Sequence, residues 1–374
     1  MTSYPLPQQY QQALQKPRLS LFDDELKNGT IQADRMGLPR VRSGNFASVY
    51  KVFAGSSQYA IKCFLNAPDD IQTRYEEIST YLNTINCEYF LKTHYLARGI
   101  AVNGHTYPIL KIKWQDGTPL DKYIDDCVRR QDTQGILNIR ARFVNLYRTL
   151  RSYHIAHGDL QHGNILITQQ GLRLIDYDGL YVPTTTLNIS HESGHPNYQH
   201  PKRTTWHFNE HMDTFSATAI FTALTILAYD LSLWAKFYNG DNILFCGKDF
   251  LNTNQSPLFR RLAGIDDATI KQLVTAIAAS CLSQKPPDSP DFLELCADAT
   301  VSGQEMPLPP IAPISPHSWI TTWEGLPTQS DIDIVEAVPI ANPGPVDASI
   351  RKAEDRPSTI PAPPTPPQPK PHTL

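Results

Sequence analysis

The sequence has 374 residues, of which 41% are hydrophobic and 19% are charged, and its formal net charge is −4. This length allows one large domain or two ordinary ones, and the composition is typical of a globular protein with a sizeable core. The nearly balanced charge gives no electrostatic argument for binding nucleic acid or an anionic membrane surface, so we expect neither as a partner.

The cysteines and the apolar segments indicate the expected compartment. The six cysteines form neither a C-x-x-C pair nor a zinc-finger spacing, which predicts buried thiols in a reducing, cytoplasmic location. Residues 1–10 lack the basic and then apolar pattern of a signal peptide. The most apolar segment, residues 215–228, is too short and too rich in threonine to cross a bilayer, and it predicts a buried core helix.

The first elements in chain order are a short helix, two strands and a longer helix. A helix is predicted over residues 8–14 and ends before Pro17, and residues 19–39 show no clear period. A strand begins at Val41, and another is predicted over residues 59–64. Apolar side chains at helical spacing predict a helix over residues 71–82.

The middle of the chain contains a strand, a helix and a predicted hairpin. The strand covers residues 107–114 and the helix residues 137–153. The stretch HGDLQHGNILI then ends in an apolar run, a turn over residues 168–171 and a return strand. This hairpin is expected to bring Asp176 back beside Asn164.

Two motifs around this hairpin carry a family resemblance. Asp159 and Asn164 are five residues apart, and the sequence DYDG follows from Asp176. The protein-kinase catalytic loop H-R-D-x-x-x-x-N and its later D-F-G have this arrangement. From about residue 39 to residue 295, the chain therefore resembles eukaryotic-like serine/threonine protein kinases, in a spelling that looks bacterial.

The resemblance implies a fold, an activity and cofactors. The expected fold is α+β and bilobal, with a small β-rich N-lobe and a large, mainly helical C-lobe. The expected reaction transfers the γ-phosphoryl group of ATP to protein hydroxyls. Serine and threonine are the favoured acceptors. ATP and Mg²⁺ are the expected cofactors, with Mn²⁺ as an alternative ion.

The same resemblance and a change in composition set the expected domains. We expect an N-terminal extension over residues 1–38, a kinase N-lobe over 39–113, a C-lobe over 114–299 and a disordered tail over 300–374. Of the 31 prolines, 17 lie in residues 301–374, which favours a disordered, Pro-rich tail. The apolar stretch from Trp319 to Trp323 is a candidate docking segment that would bind the kinase itself or a partner. The Pro-rich tail is the other expected docking site for a partner.

The resemblance assigns the reacting groups. Asp159 would accept the proton of the substrate hydroxyl, and Lys62 would orient the phosphates of ATP. Asn164 and Asp176 would hold the metal ion, with Asp178 as an alternative ligand. The expected structural residues are His157 and Asp213, the latter by anchoring the backbone of the catalytic loop.

Residues 42–52 resemble the kinase Gly-rich loop, of which only the middle glycine is kept. The expected partner of Lys62 is Glu77, because packing residues follow it, and Glu76 stays open as the alternative. The backbone of residues 113–115 would bond adenine as the hinge. The residues expected around ATP are Arg42, Gly44, Phe46, Val49, Ala60, Lys62, Glu77, Ile112, Lys113 and Trp114.

Several positions depart from the family pattern. Gly158 replaces the arginine that receives an activation-loop phosphate, so activity is not expected to depend on such phosphorylation. Gln161 replaces the catalytic-loop lysine and His195 replaces a threonine, and both changes fall beside Asp159. We therefore count both as catalytic candidates, and expect His195 within hydrogen-bond reach of Asp159 or Gln161, where it could supply charge.

A further departure affects an ion pair of the family. Lys202 stands where kinases carry a glutamate, and Ser289 aligns with the arginine that pairs with it. Two acids flank Ser289, so we expect Lys202 to pair with Asp288 or Asp291, since a partly buried lysine needs a partner to keep its charge.

Two other functions stay open. Small-molecule phosphotransferases of kinase-like fold also carry the H-G-D spelling, although Tyr198 and Pro201 resemble the peptide platform of protein kinases. Asp213 also lies 54 residues after Asp159, which resembles the spacing of the corresponding aspartates in protein kinases. A pseudokinase scaffold whose tail recruits partners is the third possibility, and the intact phosphate and metal set argues against it.

Overall fold

The computed structural model describes residues 4–43, 46–283, 286 and 291–295. Within these residues the chain is a mixed α+β protein with two β-sheets and 12 α-helices. The strands are β1 Thr30–Ile31, β2 Val41–Ser43, β3 Ala47–Ala54, β4 Ser57–Phe64, β5 Thr93–Val102, β6 His105–Lys113, β7 Thr118–Pro119, β8 Ile165–Thr168 and β9 Gly171–Leu174. The helices are α1 Pro7–Leu14, α2 Pro17–Ser20, α3 Asp24–Lys27, α4 Ile71–Ile85, α5 Leu120–Arg129, α6 Thr133–Ser152, α7 Thr214–Tyr229, α8 Ser232–Phe237, α9 Gly247–Leu251, α10 Pro257–Leu262, α11 Ala268–Leu282 and α12 Phe292–Leu295.

The larger sheet is antiparallel throughout. Its strands follow the order β1-β3-β4-β6-β5, and β2 also pairs with β3. Strand β4 is central, and its Lys62 lies opposite Val49 on one side and Leu110 on the other. A side chain on this strand is held by neighbours on both sides, which is a rigid place for a functional group.

The N-terminal segment packs on this sheet. Residues 19–39, for which the sequence indicated no regular structure, contain α3 and β1, and β1 pairs with β3. Asp23 caps α3 because its carboxylate accepts the backbone amides of Glu25 and Leu26. Tyr10 and Leu14 of α1 are buried in one cluster with sheet side chains. The extension is therefore part of the sheet's core.

The helical region surrounds α7. This helix is buried along nearly its whole length, which explains why its sequence is apolar on every face. It confirms the core helix predicted over residues 215–228. Within the described part of the chain, no helix is long and apolar enough to cross a membrane.

The smaller sheet carries the predicted hairpin. Strands β8 and β9 pair from Ile165 opposite Leu174 to Thr168 opposite Gly171, which confirms that prediction. The backbone amide of Ile175 then donates to the carbonyl of Asn164, 3.1 Å away. The hairpin thus returns the chain to the 3-10 turn over His162–Asn164. Strand β5 and helices α5, α8, α9 and α10 were not anticipated.

Candidate active site

A pocket opens between the larger sheet and the segment that follows β9. Five of its residues, Val49, Ala60, Lys62, Ile112 and Asp176, were predicted from the sequence. The pocket is mostly apolar with one cation and one carboxylate, which suits a flat aromatic ligand that carries negative charge. Its lining consists of Val49, Ala60, Lys62, Tyr75, Leu91, Leu110, Ile112, Ile175, Asp176 and Tyr177.

Most of the other predicted nucleotide residues do not line this pocket but lie next to residues that do, on the same or the adjoining strand. Arg42 on β2 pairs with Val49, and Phe46 at the start of β3 is 53% exposed. The Trp114 amide donates to the β4 backbone at 2.9 Å, just after Lys113 ends β6. Gly44 lies outside the described residues.

Lys62 is a buried cation between two carboxylates. Only 3% of its surface is exposed. Its Nζ lies 3.2 Å from Oδ1 of Asp176, and 2.5 Å and 2.6 Å from the two carboxylate oxygens of Asp178. Burial acts to lower the pKa of Lys62, but the two carboxylates raise it above its ordinary value. Lys62 therefore stays charged at the inner end of the pocket.

Asp176 combines an unusual backbone with a perturbed side chain. Its φ of 64° lies in the left-handed region, which is uncommon for residues other than glycine and is concentrated at functional sites. Burial raises the pKa of Asp176 above its usual range, Lys62 opposes the shift, and the carboxylates of Asp178 and Asp159 add to it. Such crowding of negative charge favours a bound cation.

Tyr75 is a site residue that the sequence reasoning did not assign. It lies on α4, is 1% exposed, and its hydroxyl donates to Oδ1 of Asp178. Burial opposes the ionisation of Asp178, yet Lys62 and Tyr75 lower the pKa of its carboxyl. The available signal was that Tyr75 is the one polar-tipped residue on the predicted apolar face of α4.

Glu77 does not pair with Lys62, so that expectation was wrong. Its carboxylate accepts the hydroxyls of Thr185 at 2.7 Å and Thr186 at 2.6 Å. Glu76, the open alternative, is exposed and accepts a hydrogen bond from Gln72 within α4. The reason is helical phase, because the face of α4 that meets Asp178 carries Tyr75, and Glu77 is two residues, about 200°, further around the helix on nearly the opposite face.

Asp159 is held from two directions. Its Oδ1 accepts the backbone amide of His195 at 2.7 Å, and its Oδ2 accepts the Asn164 amide at 2.9 Å. The side chain of Gln161, a catalytic candidate, instead accepts the Gly163 amide at 2.8 Å and caps the 3-10 turn. The carboxylate of Asp159 is thus oriented by the loop around it.

The two residues predicted to be structural support the same loop. Asp213, at the start of α7, accepts the backbone amides of His157 and of Gly158, the latter at 3.0 Å. The His157 ring is fully buried, and its Nε2 lies 3.0 Å from the Ile175 carbonyl. These contacts connect the loop over residues 157–164 to α7 and to the end of β9.

Three glycines meet where the loop over residues 157–164 approaches Gly179 of DYDG and the segment that follows it. Gly158 has a φ of 83°, and a Cβ there would lie 2.2 Å from the Gly179 carbonyl oxygen. Gly194 has a φ of 75°, and a Cβ there would lie 2.8 Å from the Gly158 carbonyl oxygen. A side chain is thus excluded at Gly158 because the backbones approach too closely.

Glu192 adds a fourth acidic group to the site. It is half-buried on the segment that follows DYDG. Burial, together with the carboxylates of Asp178, Asp176 and Asp159, raises the pKa of Glu192 to about 9. The protonated form is therefore favoured at neutral pH, and a cation bound nearby would favour the ionised form.

His195 contacts Asp159 through its backbone and turns its ring elsewhere. The ring Nε2 lies 3.0 Å from Oδ1 of Asp241. Asn197 also donates to the Asp241 backbone carbonyl at 2.7 Å and accepts the Gly247 amide at 2.8 Å. These contacts join the two walls of a groove lined by residues within 193–203 and 239–251.

The predicted pairing of Lys202 with Asp291 was wrong. Lys202 is exposed, and no ion pair joins it to Asp291 among the residues described. Asp291 instead lies 3.9 Å from Nε of Arg151 and 3.4 Å from the Tyr147 hydroxyl. Asp288, the other candidate, lies outside the described residues.

The predicted metal ligands fit a magnesium ion with few protein ligands. Across the described ranges, no three His, Cys, Asp or Glu side chains are arranged around one point. Mg²⁺ commonly uses one or two carboxylates and completes its shell with water and phosphate oxygens. Asp176 can supply a carboxylate and Asn164 an amide oxygen, since the Asn164 nitrogen already donates to Asp159. Asp178 is engaged by Lys62 and Tyr75.

Comparison with known proteins adds no assignment. No protein-family model matches the chain. A search of curated proteins also finds no similar sequence.

Proposed function

We propose that the chain is an ATP- and Mg²⁺-dependent protein kinase of bilobal, protein-kinase-like fold. In this proposal the larger sheet with α4 forms the N-lobe, the helical region forms the C-lobe, and the nucleotide lies between them. The observation that carries it is that a mostly apolar pocket is lined by Lys62 and Asp176, with Asp159 near enough to raise the pKa of Asp176 and Asn164 bonded to Asp159. These are the groups that phosphoryl transfer requires.

The apolar part of the pocket would take the adenine ring. Val49 and Ala60 would cover it from the sheet, and Leu166, which packs with Leu91 and Ile175, would support it from the hairpin. The phosphates would then extend toward Lys62, the buried cation. An apolar slot that ends in a fixed positive charge fits a nucleotide polyphosphate better than a neutral ligand.

The reaction would use Asp159 as proton acceptor. An acceptor hydroxyl beside Asp159 loses its proton to the carboxylate as its oxygen bonds to the γ-phosphorus, and the bond to the ADP oxygen breaks. Lys62 would orient the phosphates, while Asn164 and Asp176 would hold Mg²⁺. The ion would neutralise the charge that develops on the phosphate oxygens.

A protein acceptor is supported by the groove beside His195. Its lining includes Gly194 and Pro196, the chain neighbours of the His195 amide that contacts Asp159, and it continues between residues 193–203 and 239–251, which suits an extended chain more than a small metabolite. A small-molecule phosphotransferase is the second candidate. The observation that favours it is the H-G-D spelling at Gly158, which such enzymes share.

The test is phosphotransfer with γ-labelled ATP and Mg²⁺, alone, with a generic basic protein and with a metabolite mixture. We expect label on protein. Asp159→Asn should lower kcat by about 10²–10⁴-fold, because a positioned proton acceptor is lost, and it should leave nucleotide binding unchanged. Asp176→Asn should instead weaken nucleotide binding only when Mg²⁺ is present.

The alternatives give different results in the same assay. Label on small metabolites would favour the second candidate. No label on any acceptor, with nucleotide still bound, would favour a pseudokinase scaffold. Near-normal activity in Asp159→Asn would contradict the catalytic assignment.

A further inference from the structure

The orienting lysine of a phosphotransfer site needs a fixed acidic partner. Lys62 is almost fully buried, and a buried ammonium without a partner loses either its charge or its position. Of the two carboxylates that contact it in the described part of the chain, Asp178 approaches with both oxygens, at 2.5 Å and 2.6 Å, whereas Asp176 contacts it once at 3.2 Å. The closer, two-oxygen contact identifies Asp178 as the main partner.

Asp178 is itself held from α4. The hydroxyl of Tyr75 donates to the carboxylate, and the Tyr75 ring packs against Phe64 of β4 with centroids 6.2 Å apart. Since Tyr75 is 1% exposed, it has no room to turn away. A continuous chain of contacts therefore runs from α4 through Tyr75 and Asp178 to Lys62.

The acids of α4 are occupied elsewhere. Glu77 accepts the hydroxyls of Thr185 and Thr186, and Glu76 accepts a hydrogen bond from Gln72 in the same helix. Helix α4 thus acts on Lys62 through the Tyr75 hydroxyl, which binds Asp178. The negative charge beside Lys62 comes from Asp178, the second aspartate of DYDG.

We propose that Asp178 and Tyr75 are the positioning residues for Lys62, which leaves Asp176 to the metal ion. This inference rests on the proposed function and deepens it. It assigns the two aspartates of DYDG different tasks, because one is fixed to the lysine and the other has a single, longer contact with it. The helix then controls the lysine through one hydrogen bond to Asp178.

The first test is a stability cycle that needs no turnover. Lys62→Met and Asp178→Asn should each lower the melting temperature of the full chain by several degrees, because each leaves a buried charge without its main partner. The double variant should melt higher than the sum of the two losses predicts. In the matched cycle of Lys62→Met with Glu77→Gln, the two losses in melting temperature should simply add. Coupling with Glu77 and none with Asp178 would overturn the proposal.

The second test separates positioning from folding. Asp178→Asn should lower kcat by about 10²-fold, the cost of a small misplacement, with little change in KM for ATP. Tyr75→Phe keeps the ring, and should lower kcat less. The double variant Tyr75→Glu, Asp178→Asn carries a new carboxylate on α4. It should recover part of the kcat that Asp178→Asn alone loses. Glu77→Gln should leave both constants unchanged.

The outcomes distinguish the two proposals. If the wild-type chain transfers no phosphate but the stability cycle couples Lys62 to Asp178, the pairing stands and the proposed function fails. If the chain is active and Glu77→Gln loses as much kcat as Asp178→Asn, the positioning assignment fails.

Discussion

At the scale of single residues, Gly158 shows how a close backbone approach excludes a side chain. Its φ is 83°, and a Cβ would lie 2.2 Å from the Gly179 carbonyl oxygen. Gly158→Ala should therefore cost the strain of a left-handed residue, about 1–2 kcal/mol, and about 1–3 kcal/mol more for the clash. Chemical denaturation of the full chain measures the sum.

Gly104 offers a matched control for this prediction. It has a φ of 80°, and a Cβ there would have nothing within 4 Å. Gly104→Ala should therefore show the strain alone. An equal loss of stability in the two variants would mean that the close approach of Gly179 does not restrict position 158.

At the scale of elements, side chains along one face of α4 contact the segment after DYDG. Asp70 lies 2.6 Å from the ring of His191, and the buried Arg74 donates to the Ile189 carbonyl at 2.7 Å. Glu77 completes the row through Thr185 and Thr186. Positions 70, 74 and 77 are four and three residues apart, so their side chains share one face of a helix. We call this set of contacts the α4 clasp.

The α4 clasp predicts a local change in dynamics. Glu77→Ala should speed amide hydrogen exchange over residues 185–191 by about 10- to 100-fold, because hydrogen bonds to a charged group stabilise by roughly 1.5–3 kcal/mol. Glu76→Ala is the control, since Glu76 is exposed and bonds only within α4 among the contacts described. Similar exchange in both variants would argue against the clasp.

At the scale of the whole molecule, the described core reaches α12. Phe292 is 1% exposed and stacks on Phe221 with ring centroids 4.3 Å apart. Removal of residues 300–374 keeps this contact, and the Pro-rich composition of that tail lacks the apolar content for a core.

We therefore expect a chain that ends at residue 299 to unfold cooperatively, with a melting temperature within about 2–4 °C of the full chain, a shift worth roughly 1 kcal/mol. Thermal unfolding followed by circular dichroism measures it. A much larger drop would indicate that the tail packs on the core, and Trp319 and Trp323, outside the described residues, would be the first candidates.

Local patterns in the sequence were enough for several parts of this protein. The apolar run of α7 and the hairpin of β8 and β9 follow from periodicity and turn residues, which act between near neighbours in the chain. The spacing of Asp159 and Asn164 placed them together because one short loop carries both. Five residues of the pocket lining were also anticipated from the motifs.

Tertiary structure alone decided which groups meet across the site. Lys62 and Asp178 are 116 residues apart, and their contact depends on the rotation of α4 and the path of the chain after β9. A rotation of about 100° for each helical residue separates the face of Tyr75 from that of Glu77, so loose spacing selected the wrong partner. The exclusion of a side chain at Gly158 depends likewise on Gly179, a contact that no local pattern encodes.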